Sequence, residues 1–167
     1  MLPRFPELQV AVSATTRRIR PGEVDGEHYH FLTPEEFAER VRDGQFLEHV
    51  TYAGNRYGTM RSEVDRILSL GRSPVVEIEL AGARAVRRMV PDAVSVFIAP
   101  PSWQELSARL ERRATDTEGE IAERLRTGEV ELAARDEFDH VVVNEDVEAA
   151  VDDLARIVRA ATRPADG

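Results

Sequence analysis

The chain has 167 residues, 42% hydrophobic and 6% aromatic, with a net charge of −9 and no cysteine. That is enough chain for a single domain over residues 1–167 with a packed core. It excludes disulfides, thiolate metal sites and cysteine nucleophiles, and the acidic balance argues against a nucleic-acid partner.

In chain order, residues 7–13 alternate as a strand and residues 28–32 form a short extended piece. Thr33-Pro34-Glu35-Glu36 then opens a helix, with Thr33 as N-cap, Pro34 in the first turn and Glu36 closing a capping box; it runs to about Arg42 and stops at Asp43-Gly44. Phe46 to Tyr52 alternates as a strand, and Ala53 to Thr59 reads as a hairpin turn with its returning strand. Helical spacing resumes through Val64, Ile67 and Leu68 and ends at Gly71. Residues 74–80 read as a buried α/β strand with Glu77 and Glu79 near its carboxyl end, where ligands gather in such sheets.

A helix over 82–89, a buried strand over 94–99 and a helix capped by Ser102 continue the alternation. Residues 113–120 read as a polar loop, followed by a charged helix from about Ile121 to Arg135, a strand over 140–143 and an amphipathic helix through Val151, Leu154 and Ile157. The tail from Thr162 is expected to fray. No apolar run is long enough to span a bilayer, and Met1 to Pro6 lacks a signal peptide's apolar centre, so a cytoplasmic protein without membrane attachment is expected.

The chemistry concentrates in Val12 to Glu23, where hydroxyls and guanidiniums crowd a Pro21-Gly22 turn and Arg17 and Arg20 bracket it. Arginine forks match phosphate bidentately, so the stretch reads as an anion-binding segment or as a basic surface loop. His28, His30, His49 and His140 show no metal-ligand spacing, and no metal site is expected. All 22 basic residues are arginine, so a phosphate loop of the Gly-rich Gly-Lys type has no lysine to use. Glu48, in a strand, either points to water or serves as an acceptor; Tyr29 and Tyr57 either pack or bind. Together with Arg17 and Arg20 they suit a purine nucleoside monophosphate. A desolvated carboxylate accepts from the adjacent N1–H and N2–H of guanine and finds an acceptor instead at adenine N1.

The run Ser13-x-Thr15-Thr16-Arg17-x-x-Arg20-Pro21-Gly22-Glu23-x-x-Gly26-x-x-Tyr29-x-Phe31, then Phe46-Leu47-Glu48, Gly54-x-x-Tyr57-Gly58-Thr59 and Val142-Val143-Asn144, resembles guanylate kinase from about Glu7 to Arg159. The resemblance implies an α/β, P-loop NTPase-like parallel sheet flanked by helices. It adds a small mixed β/α nucleoside-monophosphate-binding subdomain at about 14–76 and a lid at about 113–124. It also implies transfer of the ATP γ-phosphoryl to GMP with Mg²⁺. By that resemblance Ser13, Arg17, Arg20, Tyr29 and Tyr57 contact the GMP phosphate, Glu48 and Thr59 contact guanine, and Glu79 assists at the nucleoside or metal. Arg113 and Arg124 are the catalytic arginines that stabilise the transferring phosphoryl, with Arg109 a further candidate, and Asn144 lies on the ATP side.

Two positions depart from the family's pattern: Ala81 stands where it often has Gln, and Ala114 where it usually has Gly. A larger departure is that Met1 to Leu8 reads as the tail of the helix that follows the family's phosphate loop, so the fold is expected to be truncated at its N-terminus. Phosphoryl transfer depends on positioning and electrostatics, and the expectation is a chain that binds GMP but transfers phosphate poorly or not at all. The alternative is a non-catalytic module of guanylate-kinase-like type that binds GMP or a phosphorylated partner.

Overall fold

The computed structural model describes residues 5–52, 54–111 and 118–162. The chain divides into two compact units, Met1–Ala93 and Val94–Gly167.

In the first unit, β1 (Leu8–Val10) pairs in parallel with β6 (Ser73–Val75). A separate four-stranded sheet has the order β3-β2-β5-β4, from β2 (Ala14–Thr15), β3 (His30–Phe31), β4 (Phe46–Tyr52) and β5 (Asn55–Met60). β2 runs parallel to β3 and antiparallel to β5, and β4–β5 is the expected hairpin. Helix α1 (Pro34–Arg42) begins as its sequence requires: the Thr33 hydroxyl accepts from Glu36 N–H at 3.2 Å, and Glu36 accepts from Thr33 N–H at 2.8 Å. It inserts the fully buried Phe37 against Ala14, Phe46 and Met60, its ring stacked on Phe46 at 4.4 Å. Helix α2 (Arg61–Ser69) buries Ile67 and leaves Leu68 54% exposed, so of the expected apolar stripe only part faces inward.

The β4–β5 ladder slips between Phe46, opposite Met60, and Glu48, opposite Thr59. Leu47 is thereby extra on its strand, and Phe46, Leu47 and Glu48 are buried in succession where the sequence alternation called for one to face water. Gly58 lies opposite His49 so closely that a Cβ there would sit 2.6 Å from the Glu48 carbonyl oxygen, and only glycine fits.

The strand expected over 74–80 ends at Val75, because among the described residues β6 finds one partner, β1. Glu77 and Glu79 therefore lie on irregular backbone, and α3 (Leu80–Met89) starts two residues earlier than its periodicity suggested.

The second unit contains a parallel pair, β7 (Val96–Ala99) and β8 (His140–Val143), with α4 (Trp103–Glu111), α5 (Glu118–Ala133), a 3-10 turn at Arg135–Glu137 and α6 (Val147–Ala161). Ser102 caps α4 and Asp146 caps α6. Asp139 closes the entrance of the strand pair by accepting from the Ser95 N–H at 2.8 Å and from its hydroxyl at 2.6 Å. α5 already includes Glu118 to Glu120, whose composition reads as loop, since acidic residues favour a helix's first turn as well as loops. The strand expected to be buried over 94–99 is shorter and half open: Ile98 is 47% exposed, because a two-stranded sheet shields little of its own surface. Val142 packs inward beside α6, while Val141 and Val143 border an open cleft of about 490 Å³ with Trp103 and Leu132.

Candidate functional site

A cleft of about 460 Å³ lies wholly within the first unit, and Ser13, Tyr29, Glu48, Tyr57, Glu77 and Glu79 line it. The irregular backbone after β6 brings Glu77 and Glu79 to it, and the slipped β4 turns Glu48 into it.

Glu48 is only 5% exposed. A buried carboxylate is costly unless hydrogen-bonded, and one oxygen here, Oε1, accepts from both the N–H of Thr59 at 2.9 Å and its hydroxyl at 2.8 Å. Thr59 is itself fully buried, so its donors hold Glu48 rather than face the cleft. Glu48 Oε2 lies against the first turn of α3 at Gly82. Glu79 occupies the N-cap position of that helix without capping it through its side chain. Partial desolvation at the cleft wall, and then the neighbouring Glu48 charge, push the Glu79 carboxyl above its usual range. Two carboxylates facing one cleft, one of them held rigidly, make an acceptor surface for adjacent N–H donors.

Behind Tyr29, next to the cleft and not in its lining, stands Arg17. Glu23 accepts from its guanidinium in a two-point fork at 2.8 and 3.0 Å, and the Arg18 carbonyl accepts a third bond at 2.8 Å. The guanidinium also stands over the rings of Tyr29, at 5.3 Å, and Phe31, at 5.6 Å. Glu23 further accepts from the Arg20 backbone N–H at 2.7 Å, so one carboxylate holds both the Arg17 guanidinium and the backbone of the turn, and those bonds depress its pKa to about 2. The Arg17 pKa is raised, chiefly by Glu23 and to a smaller extent by Tyr57. The side chain of Arg20 is exposed. Tyr29 and Tyr57 meet edge to face at 6.2 Å. The threonines of the stretch serve the backbone: Thr15 Oγ1 accepts from the Arg17 N–H at 3.1 Å, and Thr16 Oγ1 from the Arg56 N–H at 2.9 Å.

The cleft thus gathers Ser13, Tyr29, Glu48, Tyr57 and Glu79, with Arg17 packed on Tyr29 and Thr59 behind Glu48. Arg124 and Asn144 lie in the second unit, Asn144 donating its N–H to the Ala99 carbonyl at 2.7 Å; Arg113 lies outside the described residues. Sequence reasoning gave no role to Glu23, Phe31, Glu63 or Gly82. Glu63 is buried at 6% exposure, accepts from the Val12 N–H at 3.2 Å and forks with Arg66, tying α2 to the strand that leads into Ser13. Arg66, more than any other neighbour, lowers the Glu63 pKa. For Glu23 a signal existed, six residues after Arg17 beside the turn; Gly82 matches the last glycine of the family's Asp-x-Asp-x-Gln-Gly segment, but what it does there is a distance across the fold. Among the described residues no three His, Cys, Asp or Glu side chains converge as a metal site.

The guanylate kinase family pattern matches residues 2–161. The chain is 49% identical over 158 residues to a guanylate kinase of Prochlorococcus marinus, an alignment covering 95% of this chain and 84% of that protein. It is 51% identical over 158 residues to one of Rubrobacter xylanophilus, covering 95% and 83%. The crystal structure of guanylate kinase from Anaplasma phagocytophilum superposes with a TM-score of 0.79 at 32% identity, covering 95% of this chain and 78% of that one.

Proposed function

Because the chain belongs to the guanylate kinase family, with its P-loop NTPase-like α/β fold, we propose that the cleft of the first unit is a GMP site. The observation that carries this reading is Glu48: a buried carboxylate with one oxygen pinned by Thr59, in the same cleft as two tyrosines and next to a fixed arginine. In this reading Glu48 and Glu79 accept from the guanine edge, and Thr59 acts on the base by holding Glu48. Arg17, Arg20, Tyr29, Tyr57 and Ser13 serve the phosphate, with Glu23 holding the arginines. In this reading the GMP-binding part of a single kinase domain spans about residues 14–76, with Ser13 and Glu79 flanking it.

The family's reaction passes the ATP γ-phosphoryl to GMP, giving ADP and GDP. Arg124, with Arg113, is assigned to the transferring phosphoryl and Asn144 to ATP on family resemblance alone. Mg²⁺ ordinarily accompanies such transfer, carried on phosphates with few protein ligands. Among the described residues no three candidate ligands converge, so the ion would be held chiefly by the phosphates, and no step of GMP binding depends on it.

None of the 167 residues is lysine, so no side chain can fill the phosphate-loop lysine's role. We therefore expect this polypeptide to bind GMP while transferring phosphate poorly or not at all. A second reading is a binding module of guanylate-kinase-like type without turnover; Glu48 argues for GMP over a phosphorylated protein as its ligand, because a phosphoprotein presents no guanine edge. A cytoplasmic setting follows from the nucleotides proposed, and no helix among the described residues is long and apolar enough to cross a membrane. Calorimetry on the 167-residue chain should show GMP binding tighter than AMP, and a coupled ADP-release assay should show almost no turnover. Equal affinities would overturn the site, and turnover at about 1–100 s⁻¹ would overturn the impairment.

A further inference from the structure

Gly82 occupies the third position of α3, in its first turn, where glycine leaves the unfolded chain more freedom to lose than alanine would. It is buried, and its backbone needs no left-handed conformation, so glycine is not there for the turn. A Cβ built on it would lie 2.8 Å from Glu48 Oε2, 3.3 Å from Glu48 Cδ and 3.2 Å from Ile78 Cβ. An ordinary contact is wider than 3.4 Å, so a carboxylate oxygen would have to give way. It cannot do so freely, because Oε1 of the same carboxylate is pinned by both donors of Thr59 and the residue is 5% exposed.

We propose that Gly82 is a positioning residue for base specificity: its missing side chain is the space in which the Glu48 carboxylate sits, so the residue at 82 sets where the guanine-reading oxygen stands. The inference rests on the GMP reading of the cleft. Gly82 touches no nucleotide; it acts through Glu48. Any side chain at 82 presses Oε2 out of line while leaving the arginine end untouched. The loss should appear in discrimination between bases and not in recognition of the phosphate.

The test is a double-mutant cycle on the full chain, with Gly82→Ala and Glu48→Asp alone and together, titrated by calorimetry with GMP and AMP and checked by circular dichroism. Gly82→Ala should lower the melting temperature modestly, leave the circular dichroism spectrum unchanged, and weaken GMP by about tenfold while changing AMP by less than about twofold. On Glu48→Asp, whose carboxylate is one methylene shorter, adding Gly82→Ala should cost at most about twofold. An equal cost in both backgrounds would put the clash at Ile78 and overturn the proposal, as would an unchanged GMP affinity in Gly82→Ala. Should Gly82→Ala fail to fold, the double variant should fold; if neither does, the proposal is overturned. A Glu48→Gln control separates the two readings. If it loses GMP preference while Gly82→Ala does not, the positioning role alone fails; if it loses none, the GMP reading fails and this inference with it.

Discussion

The two ends of the first-unit cleft solve opposite problems. At one end Glu48 is sunk to 5% exposure and held by two donors of a single threonine. At the other, Arg17 stays near the surface, held from one side by Glu23 and from the other by aromatic rings, while the Arg20 side chain is exposed. Telling one base from another requires that water not substitute for the right partner, so the acceptor must be dry. Holding a phosphate requires charge in a fixed place and tolerates water. The difference teaches that specificity is spent where the protein is most rigid, and attraction where it is most open.

The largest effect should come from loosening the dry end. Thr59→Val removes the hydroxyl donor from a buried carboxylate at a cost of about 2 kcal/mol, which we expect as a roughly thirtyfold weaker GMP affinity in calorimetry with guanosine weakened in parallel. Arg17→Ala should cost GMP about tenfold and leave guanosine unchanged, because its partner is the phosphate. If both variants weakened guanosine alike, the division of the cleft into two ends would be wrong.

The smallest effect separates the ends by pH. The Glu79 carboxyl is raised above its usual range, so the folded state binds its proton more readily than the unfolded chain; its ionisation costs stability above that raised pKa, a cost relieved as pH falls through it. Glu23, depressed to about 2 in the fold from 4.5, contributes stability that is present above 4.5 and lost as pH falls through about 2. Carboxyl carbon-13 NMR should show Glu79 titrating first on acidification and the Arg17–Glu23 fork persisting to about pH 2. Reversal of that order would remove the electrostatic contrast between the ends.

Much of this architecture is legible in the sequence. The Thr33–Glu36 box, the β4–β5 hairpin, β8 and the caps at Ser102 were readable because their determinants are local: a few residues at fixed spacing. Strand ends were not. How far β6 and β7 extend, and how much of Ile98 is covered, depends on which strands lie beside them, which no short window of sequence encodes. The slip at Leu47 has the same character, since it is set jointly by two strands and decides whether Glu48 meets water or the cleft. Within the site, residue identities came from an ordered motif. Glu23 stands in that motif, but that it holds Arg17, like the closeness of Gly82 to Glu48, is a matter of distances across the fold.

The most direct test of the account is calorimetry of GMP and AMP on the 167-residue protein and on its Glu48→Gln variant. We expect the unaltered chain to prefer GMP by at least about tenfold, and the variant, which replaces an acceptor-only carboxylate with an amide that must also present a donor, to lose most of that preference. Equal losses for GMP and AMP would mean that Glu48 does not read the base, and the account of this cleft would be contradicted.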